Sequence, residues 1–385
     1  MLEQALTGTR LISLPSLSAA DLDAVIAYAV GDGGRVCAVV DSFPVAARDA
    51  LVTGLAKLRP VEVLDRVVPD PRVEDIMAMA ARVRATKPDA IVAIGGGSTL
   101  DSAKALAMLA VHEGDLEDYL GPEPRRKIGG KGTLMIAVPT TAGTGSEVTR
   151  FGVYTARGGR KYTLAHPALQ PDIAILAAAL THSLPPAVTA ATGIDALSHA
   201  LETIWNRNAT PASDRAATGA ATSILEWLPV AYQSARTGGT AGRAEMLEAA
   251  CRAGTAFNRT GTAMVHALSF ILSEEWHVPH GVACAFTLED AARINGEDPE
   301  IARKLGRILG AGGDASAGAP ERLAERIVSL KRAVGLPFTF RDVGAEIGAD
   351  DIGRLFAKAF GDPKMRNNAV PVEEDRVYEL LRSKL

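Results

Sequence analysis

A buried apolar run that continues into three glycines and then into a helical pattern constrains the fold of this chain more than any other feature. The run Ala90–Ile94 is followed by Gly95–Gly97 and by helical periodicity that extends to about His112. Ser98 or Thr99 is expected to cap the helix. A strand, a glycine turn and a helix in this order are the repeating unit of parallel α/β sheets.

Other segments of the first half repeat this order. We predict strands at Arg35–Asp41, Val61–Val68 and Thr133–Val138, and an amphipathic helix at Val73–Thr86. Apolar strands separated by helices of about 10 to 15 residues indicate a parallel sheet covered on both faces. Such a sheet binds ligands in the crevice beyond the carboxyl ends of its strands.

The character of the sequence changes near Ser183, after which strand-like runs become rare. Stretches rich in Ala, Leu, Glu and Arg then predict helices, at Ala187–Trp205, Thr210–Thr237, Ala241–Phe257 and Pro320–Val334. At 385 residues the chain exceeds the usual size of one domain. We therefore predict a nucleotide-binding α/β domain at 1–184 and a helical, metal-binding domain at 185–385.

Charge and composition exclude several classes of protein. The formal net charge is −4, which gives no electrostatic reason to expect nucleic acid or an anionic membrane as a partner. No apolar stretch is long enough to span a bilayer, and the first residues lack the pattern of a secretory signal. We therefore expect a cytoplasmic protein in which Cys37, Cys251 and Cys284 are buried, reduced thiols.

Two turns that follow parallel strands predict a nucleotide-binding edge of the sheet. The glycines at 95–97 let backbone N–H groups approach a phosphate, and the next helix N-terminus supplies further donors. The second turn carries the hydroxyl groups of Thr140, Thr141 and Thr144. Because both turns leave the same edge of the sheet, we expect them to line one crevice.

Asp41 ends the first predicted strand. A carboxylate at this position can accept hydrogen bonds from an adenosine ribose and repel a 2′-phosphate, which favours NAD over NADP. The alternative is that Asp41 caps the turn that follows the strand.

One aspartate and several histidines form a candidate metal site. Asp195 and His199 are four residues apart in a helical pattern, so they project from one face of one helix. His266 lies in another helical stretch, and His280 follows fourteen residues later in a turn. One carboxylate and three imidazoles suit Fe²⁺ or Zn²⁺ and leave room for a substrate oxygen. His277 competes with His280, because His-x-x-His is also a plausible metal-binding spacing.

These motifs together resemble the iron-containing (group III metal-dependent) alcohol dehydrogenases, and the resemblance covers nearly the whole chain. The segments that carry it are Val68–Asp75, Gly95–Lys104, Pro139–Thr149, Ala191–Ala200 and Val278–Gly281. It implies a Rossmann-like α/β domain followed by an all-α domain, the architecture that dehydroquinate synthases share. It also implies an enzyme that acts as a homodimer.

The resemblance further implies roles for individual residues. The implied metal ligands, which are also the catalytic residues, are Asp195, His199, His266 and His280, and His277 is then a bystander. The implied contacts to the nucleotide are Asp41, Gly96, Gly97, Ser98, Asp101, Thr140, Thr141, Thr144 and Lys161. The implied cofactors are NAD(H), favoured over NADP(H), and Fe²⁺, with Zn²⁺ as the alternative.

One position departs from the family pattern. Many members carry a histidine four residues after the third metal ligand, near the nicotinamide, and this chain has Phe270 there. A proton relay through this position is therefore unavailable. Phe270 is expected to pack on the nicotinamide or to form an apolar wall.

The segments 159–167, 195–210 and 266–272 are most similar to phosphonoacetaldehyde reductases, which form 2-hydroxyethylphosphonate. This similarity implies a small anionic aldehyde, whose charge must be paired with a cation when it is desolvated. The candidate cations are Arg150, Arg259 and Arg207, and Phe270 would line the same substrate site. The alternative substrates are succinic semialdehyde, with 4-hydroxybutyrate as its alcohol, and neutral short-chain alcohols. A dehydroquinate synthase-like lyase, whose lysine-rich motifs are not evident here, and a non-enzymatic metabolite-binding protein are alternatives of other classes.

Overall fold

The computed structural model describes residues 7–43, 45–310 and 318–385, which divide into two compact units. The first unit runs to Thr141 and continues over Gly145–Ser183, and the second comprises Ala142–Thr144 and Leu184–Leu385. The first contains a parallel sheet with helices, whereas the regular elements of the second are helices. The predicted fold class is therefore confirmed.

The strands of the first unit form one parallel sheet and one separate hairpin. They are β1 (Arg10–Leu14), β2 (Val36–Asp41), β3 (Val61–Val67), β4 (Ala90–Gly95), β5 (Leu134–Pro139), β6 (Phe151–Thr155), β7 (Lys161–Ala165) and β8 (Ile173–Ala177). The sheet has the strand order β1-β8-β5-β4-β2-β3, and β6 pairs antiparallel with β7. The sequence analysis missed β1, β8 and the hairpin. Asp41 therefore ends the second strand and not the first.

Alternate residues of β4 face two different apolar cores. The helices of this unit are α1 (Ala19–Val30), α2 (Ala46–Leu58), α3 (Val73–Thr86) and α4 (Gly97–Leu109). Ile91 and Ala93 belong to a buried cluster with side chains of α3 and α4, while Val92 and Ile94 belong to a cluster with side chains of α1 and α2. A strand covered on both faces is a continuous apolar run, which is why its sequence signal is strong.

The chain passes from β4 into α4 without an intervening loop. Gly95 ends the strand, Gly96 is the N-cap, and no side chain caps the helix. The expectation that Ser98 or Thr99 is the cap was therefore wrong, because the helix begins earlier. A Cβ atom at Gly95 would lie 2.3 Å from the hydroxyl oxygen of Thr99, so this tight connection requires glycine.

Helices fill the second unit. They are α5 (Pro186–Ile204), α6 (Pro211–Arg236), α7 (Arg243–Thr260), α8 (Met264–Trp276), α9 (His280–Ala285), α10 (Leu288–Asn295), α11 (Pro299–Ile308), α12 (Ala319–Ala333), α13 (Ala349–Phe360) and α14 (Glu374–Arg382). α5, α6 and α7 pack on one another, and α9 packs on α5 and α8. Among the described residues, no helix combines the length and the hydropathy that crossing a bilayer requires.

Candidate active site

Three helices and one glycine bring four side chains of the second unit together. α5 carries Asp195 and His199, α8 carries His266, and His280 is the first residue of α9. A Cβ atom at Gly281 would lie 1.9 Å from the carbonyl oxygen of Ala191. Only a glycine therefore lets the start of α9 approach α5 closely enough to place His280 beside Asp195. We call Asp195, His199, His266 and His280 the histidine cluster.

The distances within the histidine cluster suit a tetrahedral metal ion. Oδ1 of Asp195 lies 3.8 Å from Nε2 of His199, 3.5 Å from Nε2 of His266 and 3.7 Å from Nε2 of His280. Bonds of about 2.0–2.2 Å to a tetrahedral ion place its nitrogen and oxygen ligands roughly 3.3–3.6 Å apart. The spacing of these atoms is therefore close to that of ligands around one ion.

Three buried atoms of the cluster lack a hydrogen-bond partner: Oδ1 of Asp195, Nε2 of His266 and Nδ1 of His199. The first two lie 3.5 Å apart, on side chains that are each only 4% exposed. A buried polar atom without a partner is costly, and a bound cation would satisfy both atoms at once. The donor set and these orphaned atoms therefore fit a divalent metal.

The electrostatics of the cluster favour an ionised Asp195 and a neutral His199. Burial acts to raise the pKa of Asp195, but the surrounding histidines hold that pKa below its ordinary value. Burial lowers the pKa of His199 to about 4, which outweighs the attraction of Asp195. At neutral pH Asp195 is therefore ionised and His199 neutral, the states that metal coordination requires. Burial acts to lower the pKa values of His266 and His280, but Cys284 and the nearby carboxylates raise them.

Glu202 fixes the orientation of His266, and the sequence analysis missed it. Its carboxylate is fully buried and accepts hydrogen bonds from the backbone N–H groups of Val265, at 2.6 Å, and His266, at 3.2 Å. The Nδ1 atom of His266 lies 2.5 Å from Oε2 of Glu202. Donation of Nδ1–H to this carboxylate leaves the lone pair of Nε2 free for a metal. The available signal was its position seven residues after Asp195, on the same face of α5.

Cys284 is a second residue that the sequence analysis did not place at the site. Its thiol is buried one turn after His280, with Sγ 3.8 Å from Nε2 of that histidine. One ligand atom from each of Asp195, His266, His280 and Cys284 can be chosen so that all four lie within 4.8 Å of one another. Asp195, His266 and His280 therefore belong to two possible sets of four ligands. The fourth ligand is His199 in one set and Cys284 in the other. The spacing His280-x-x-x-Cys284 was the sequence signal for this contact.

His277, the competing candidate ligand, lies outside this arrangement. It is exposed, forms the C-cap of α8 and has a left-handed backbone conformation with φ = 54°. It is absent from the ligand set that the described residues form around Asp195.

Aromatic rings border the histidine cluster. The ring of Phe257 stacks on His199 with the centroids 4.2 Å apart, and the centroid of Phe270 lies 6.0 Å from that of His280. The ammonium of Lys364 lies 4.0 Å from the centroid of Phe270. The sequence analysis did not single out Lys364, which lies 94 residues beyond Phe270 in the chain.

The two predicted nucleotide-binding turns are neighbours in the first unit. The backbone N–H of Thr140 donates to the carbonyl of Gly95, and a Cβ atom at Gly96 would lie 3.3 Å from the side chain of Thr141. Gly97 and Ser98 begin α4. Thr144, in contrast, belongs to the short segment assigned to the second unit.

Asp101 and the buried Lys104 tie the second turn to α4. Asp101 accepts hydrogen bonds from the hydroxyl of Ser146, at 2.6 Å, and from the backbone N–H of Val153, at 2.9 Å. Lys104 is fully buried and donates to the same hydroxyl at 2.6 Å. Burial lowers the pKa of Lys104 to about 8. Asp101 therefore has a structural role in holding the turn.

The other predicted contacts have protein partners. Asp41 accepts hydrogen bonds from the backbone N–H of Phe43 and, at 2.5 Å, from Arg48. Asp41 therefore caps the turn that follows β2, and its contact with a ribose stays a prediction. Lys161 forms an ion pair with Asp70 at 2.8 Å.

Arg150, Arg207 and Arg259, the candidate cations for the substrate, lie on different elements of the structure. Arg150 belongs to the first unit, where its guanidinium lies over the ring of Phe151. Arg259 is exposed on α7, two residues after Phe257, and side chains two residues apart project from different faces of a helix. Arg207 is exposed and donates to the carbonyl of Asn368.

Comparison with known proteins places the chain in a family. Residues 18–178 match the family model for iron-containing alcohol dehydrogenase, and residues 189–385 match the model for the C-terminal region of Fe-containing alcohol dehydrogenases. The chain is 32% identical over 352 residues to 1-propanol dehydrogenase PduQ of Citrobacter freundii, covering 88% of this chain and 90% of that protein.

Solved structures agree with this placement. A crystal structure of 1,3-propanediol oxidoreductase has a TM-score of 0.88 at 30% identity, covering 98% of each chain. Sulfoacetaldehyde reductase from Bifidobacterium kashiwanohense, crystallised in complex with NAD⁺, has a TM-score of 0.87 at 30% identity, covering 98% of this chain and 97% of that one. The chain therefore belongs to the iron-containing alcohol dehydrogenase family and is an oxidoreductase.

Proposed function

We propose that this enzyme reduces a small anionic aldehyde with a nicotinamide nucleotide, and that phosphonoacetaldehyde is its substrate and 2-hydroxyethylphosphonate its product. The observation that carries the proposal is the histidine cluster, whose buried, unpartnered atoms point at one another. The similarity to a sulfoacetaldehyde reductase supports an anionic aldehyde, because that protein's name denotes such a substrate.

We assign the metal to Asp195, His199, His266 and His280, with Fe²⁺ as the first choice and Zn²⁺ as the alternative. When bound, this metal would supply Lewis-acid polarisation of the aldehyde oxygen. Glu202 holds His266 in the tautomer that leaves Nε2 free. The rings of Phe257 and Phe270 border the cluster beside His199 and His280.

The proposed reaction consumes the aldehyde, one hydride equivalent from the reduced nucleotide and one proton. Phe270 has no proton to give, so we assign the proton to water. We assign the nucleotide to the first unit, where Gly96, Gly97, Ser98, Thr140 and Thr141 lie at the carboxyl ends of neighbouring strands. This corresponds to the predicted division into a nucleotide-binding domain at 1–184 and a metal-binding domain at 185–385.

The remaining nucleotide contacts and the assembly are also part of the proposal. We assign Asp101, Thr144 and Lys161 to the nucleotide, together with Asp41. The carboxylate of Asp41 favours NAD(H) over NADP(H), since it would repel a 2′-phosphate. A homodimer completes the proposal, and size-exclusion chromatography with light scattering tests it.

Succinic semialdehyde is the second candidate substrate, because its carboxylate needs the same kind of cation as a phosphonate does. Membership of an alcohol dehydrogenase family disfavours the lyase and the non-enzymatic binding protein.

The test measures NADH oxidation by metal-free protein reconstituted separately with Fe²⁺ or Zn²⁺. Phosphonoacetaldehyde, succinic semialdehyde and neutral butyraldehyde are compared at matched concentrations. We expect metal-dependent turnover at least about tenfold better with phosphonoacetaldehyde, the minimum effect of one hydrogen bond to a charged group. Equal or better turnover of butyraldehyde contradicts the anionic substrate. Turnover that does not depend on metal contradicts the assignment of the histidine cluster.

A further inference from the structure

A mostly buried lysine lies next to the aromatic border of the histidine cluster. The side chain of Lys364 is 15% exposed, and its Nζ lies 4.0 Å from the centroid of the Phe270 ring. The same ring lies beside His280, with 6.0 Å between the centroids. The ammonium and a proposed metal ligand therefore lie beside the same phenyl ring.

The ion pair between Lys364 and Asp362 has longer distances than a close charge-assisted hydrogen bond. Nζ lies 3.3 Å and 3.5 Å from the two carboxylate oxygens of Asp362, whereas charge-assisted N–H···O bonds are about 2.7–2.9 Å long. One of these oxygens also accepts the backbone N–H of Lys364 at 2.8 Å. Since an ammonium has three donors, the pair with Asp362 leaves donor capacity for another acceptor.

Burial and nearby carboxylates act on Lys364 in opposite directions. Burial lowers the pKa of Lys364, whereas Asp362, Glu202 and Glu274 oppose this effect. A buried ammonium is stabilised by any further acceptor that replaces lost hydration. The Phe270 face attracts the cation but accepts no conventional hydrogen bond from it.

We propose that Lys364 binds the anionic end of the substrate while the aldehyde oxygen lies at the histidine cluster. This inference rests on the proposed function and deepens it, since it names the cation that selects the substrate class. An ammonium is a point charge with rotatable donors, so it accepts a phosphonate, a sulfonate or a carboxylate without the planar geometry that a guanidinium imposes. The substrate class is therefore a short aldehyde that ends in such a group.

Lys364 fits this role better than the arginines that the sequence suggested. Arg259 and Arg207 are exposed, and Arg150 lies over Phe151 in the first unit. Lys364 instead contacts the ring that borders His280.

The first experiment compares Lys364→Met, Lys364→Arg and the control Lys358→Met in the metal-reconstituted enzyme. Lys358 is a matched lysine in the same unit, but it is half exposed and pairs with Glu275. We expect the ratio of kcat/KM for phosphonoacetaldehyde to kcat/KM for butyraldehyde to fall roughly 10- to 100-fold in Lys364→Met. The fall should result mainly from a higher KM for phosphonoacetaldehyde, because the contact with the anion is made both before and during the reaction. Lys364→Arg should recover much of the ratio, and Lys358→Met should leave it unchanged.

The second experiment separates this inference from the proposed substrate. Ethylphosphonate is used as a competitive inhibitor of butyraldehyde reduction, so no anionic substrate is turned over. We expect its inhibition constant to rise at least about tenfold in Lys364→Met and to stay constant in Lys358→Met. Equal inhibition of wild type and Lys364→Met overturns the role of Lys364, whatever the substrate. If the inhibition constant of ethylphosphonate depends on Lys364 but the enzyme prefers butyraldehyde to phosphonoacetaldehyde, the result supports the anion site. It then overturns phosphonoacetaldehyde as the substrate.

Discussion

At the scale of single residues, the histidine cluster depends on side chains that never need to touch the substrate. Glu202 lies behind His266 and accepts from two backbone N–H groups and from the ring. Its pKa stays below the ordinary value because the interaction with His266 and these hydrogen bonds outweigh the effect of its burial. A carboxylate in this position raises the basicity of a metal-binding histidine and fixes its ring.

The role of Glu202 can be tested by Glu202→Gln. The Gln amide has one acceptor oxygen, so it cannot accept both from the two backbone N–H groups and from Nδ1–H of His266. If the oxygen keeps the backbone hydrogen bonds, the amide N–H₂ faces Nδ1 and the ring loses the tautomer that leaves Nε2 free. We expect the affinity for Zn²⁺ to fall about 10- to 100-fold, measured by competition with a chromogenic chelator. Glu226→Gln, an exposed position on α6, is the control and should not change the affinity. An unchanged affinity in Glu202→Gln would show that His266 is oriented by its packing alone.

Cys284 provides a second test at this scale. Because its Sγ lies within 4.8 Å of the nearby ligand atoms of Asp195, His266 and His280, we expect the thiolate to contact a bound ion in addition to the four ligands assigned above. Co²⁺-loaded protein should then show a near-ultraviolet sulfur-to-cobalt charge-transfer band. The band should disappear in Cys284→Ser and persist in Cys251→Ser, where the replaced thiol is also buried. Identical spectra of wild type and Cys284→Ser would exclude sulfur from the coordination sphere.

At the scale of secondary-structure elements, an ion network joins α10 and α12 to the last residues of the chain. Glu289 of α10 lies 2.9 Å from Nζ of Lys331 on α12 and 3.2 Å from Nζ of Lys384. The Lys331 and Glu289 side chains are 0% and 4% exposed. Removing one member of a buried pair leaves an uncompensated charge, which costs more than the pair contributes.

We expect Glu289→Gln to lower the free energy of unfolding at neutral pH by roughly 3–5 kcal/mol. Urea unfolding followed by tryptophan fluorescence measures this change in the second unit, where Trp205, Trp227 and Trp276 all lie. The exposed pair of Glu297 with Arg376 is the control, and Glu297→Gln should cost less than about 1 kcal/mol. A similar cost for both variants would contradict the importance of burial.

The pH dependence of this difference follows from the pKa of Glu289. Burial acts to raise that pKa, but Lys331 and Lys384 hold it below its ordinary value in the folded protein. The stability that an ionised Glu289 contributes is therefore present above the unfolded-state pKa of about 4.3 and is lost as the pH falls through the lower folded pKa. The difference between wild type and Glu289→Gln should accordingly shrink below about pH 4.3.

At the scale of the whole molecule, the two units should respond to different ligands. If the metal binds the histidine cluster, it stabilises the native state of the second unit by mass action, by about 2.7 kcal/mol at a hundredfold excess over Kd. We expect Zn²⁺ to slow amide hydrogen exchange in peptides from α5, α8 and α9. NADH should slow exchange around the β4–α4 turn. Protection by Zn²⁺ confined to the first unit would contradict the proposed division of roles.

The sequence predicted those features that depend on local periodicity. β4 was recognisable because a strand covered on both faces is apolar throughout, and the pairing of Asp195 with His199 follows from the pitch of a helix. The edge strand β1 is only partly buried and gives a weak signal. Glu202 and Lys364 were missed because their partners lie 64 and 94 residues away in the chain. Such contacts follow from tertiary packing and not from spacing.

The placement of Asp195, His199 and Glu202 on one helix has a consequence for how this enzyme can diverge. Their relative positions are set by the rise and turn of α5, so inserting or deleting one residue between them would rotate them onto different faces. His266 and His280, in contrast, follow the connections before α8 and α9. Evolutionary drift in the site should therefore be concentrated on those two connections and on the 3₁₀ turn that Lys364 begins, and the length of α5 should not change.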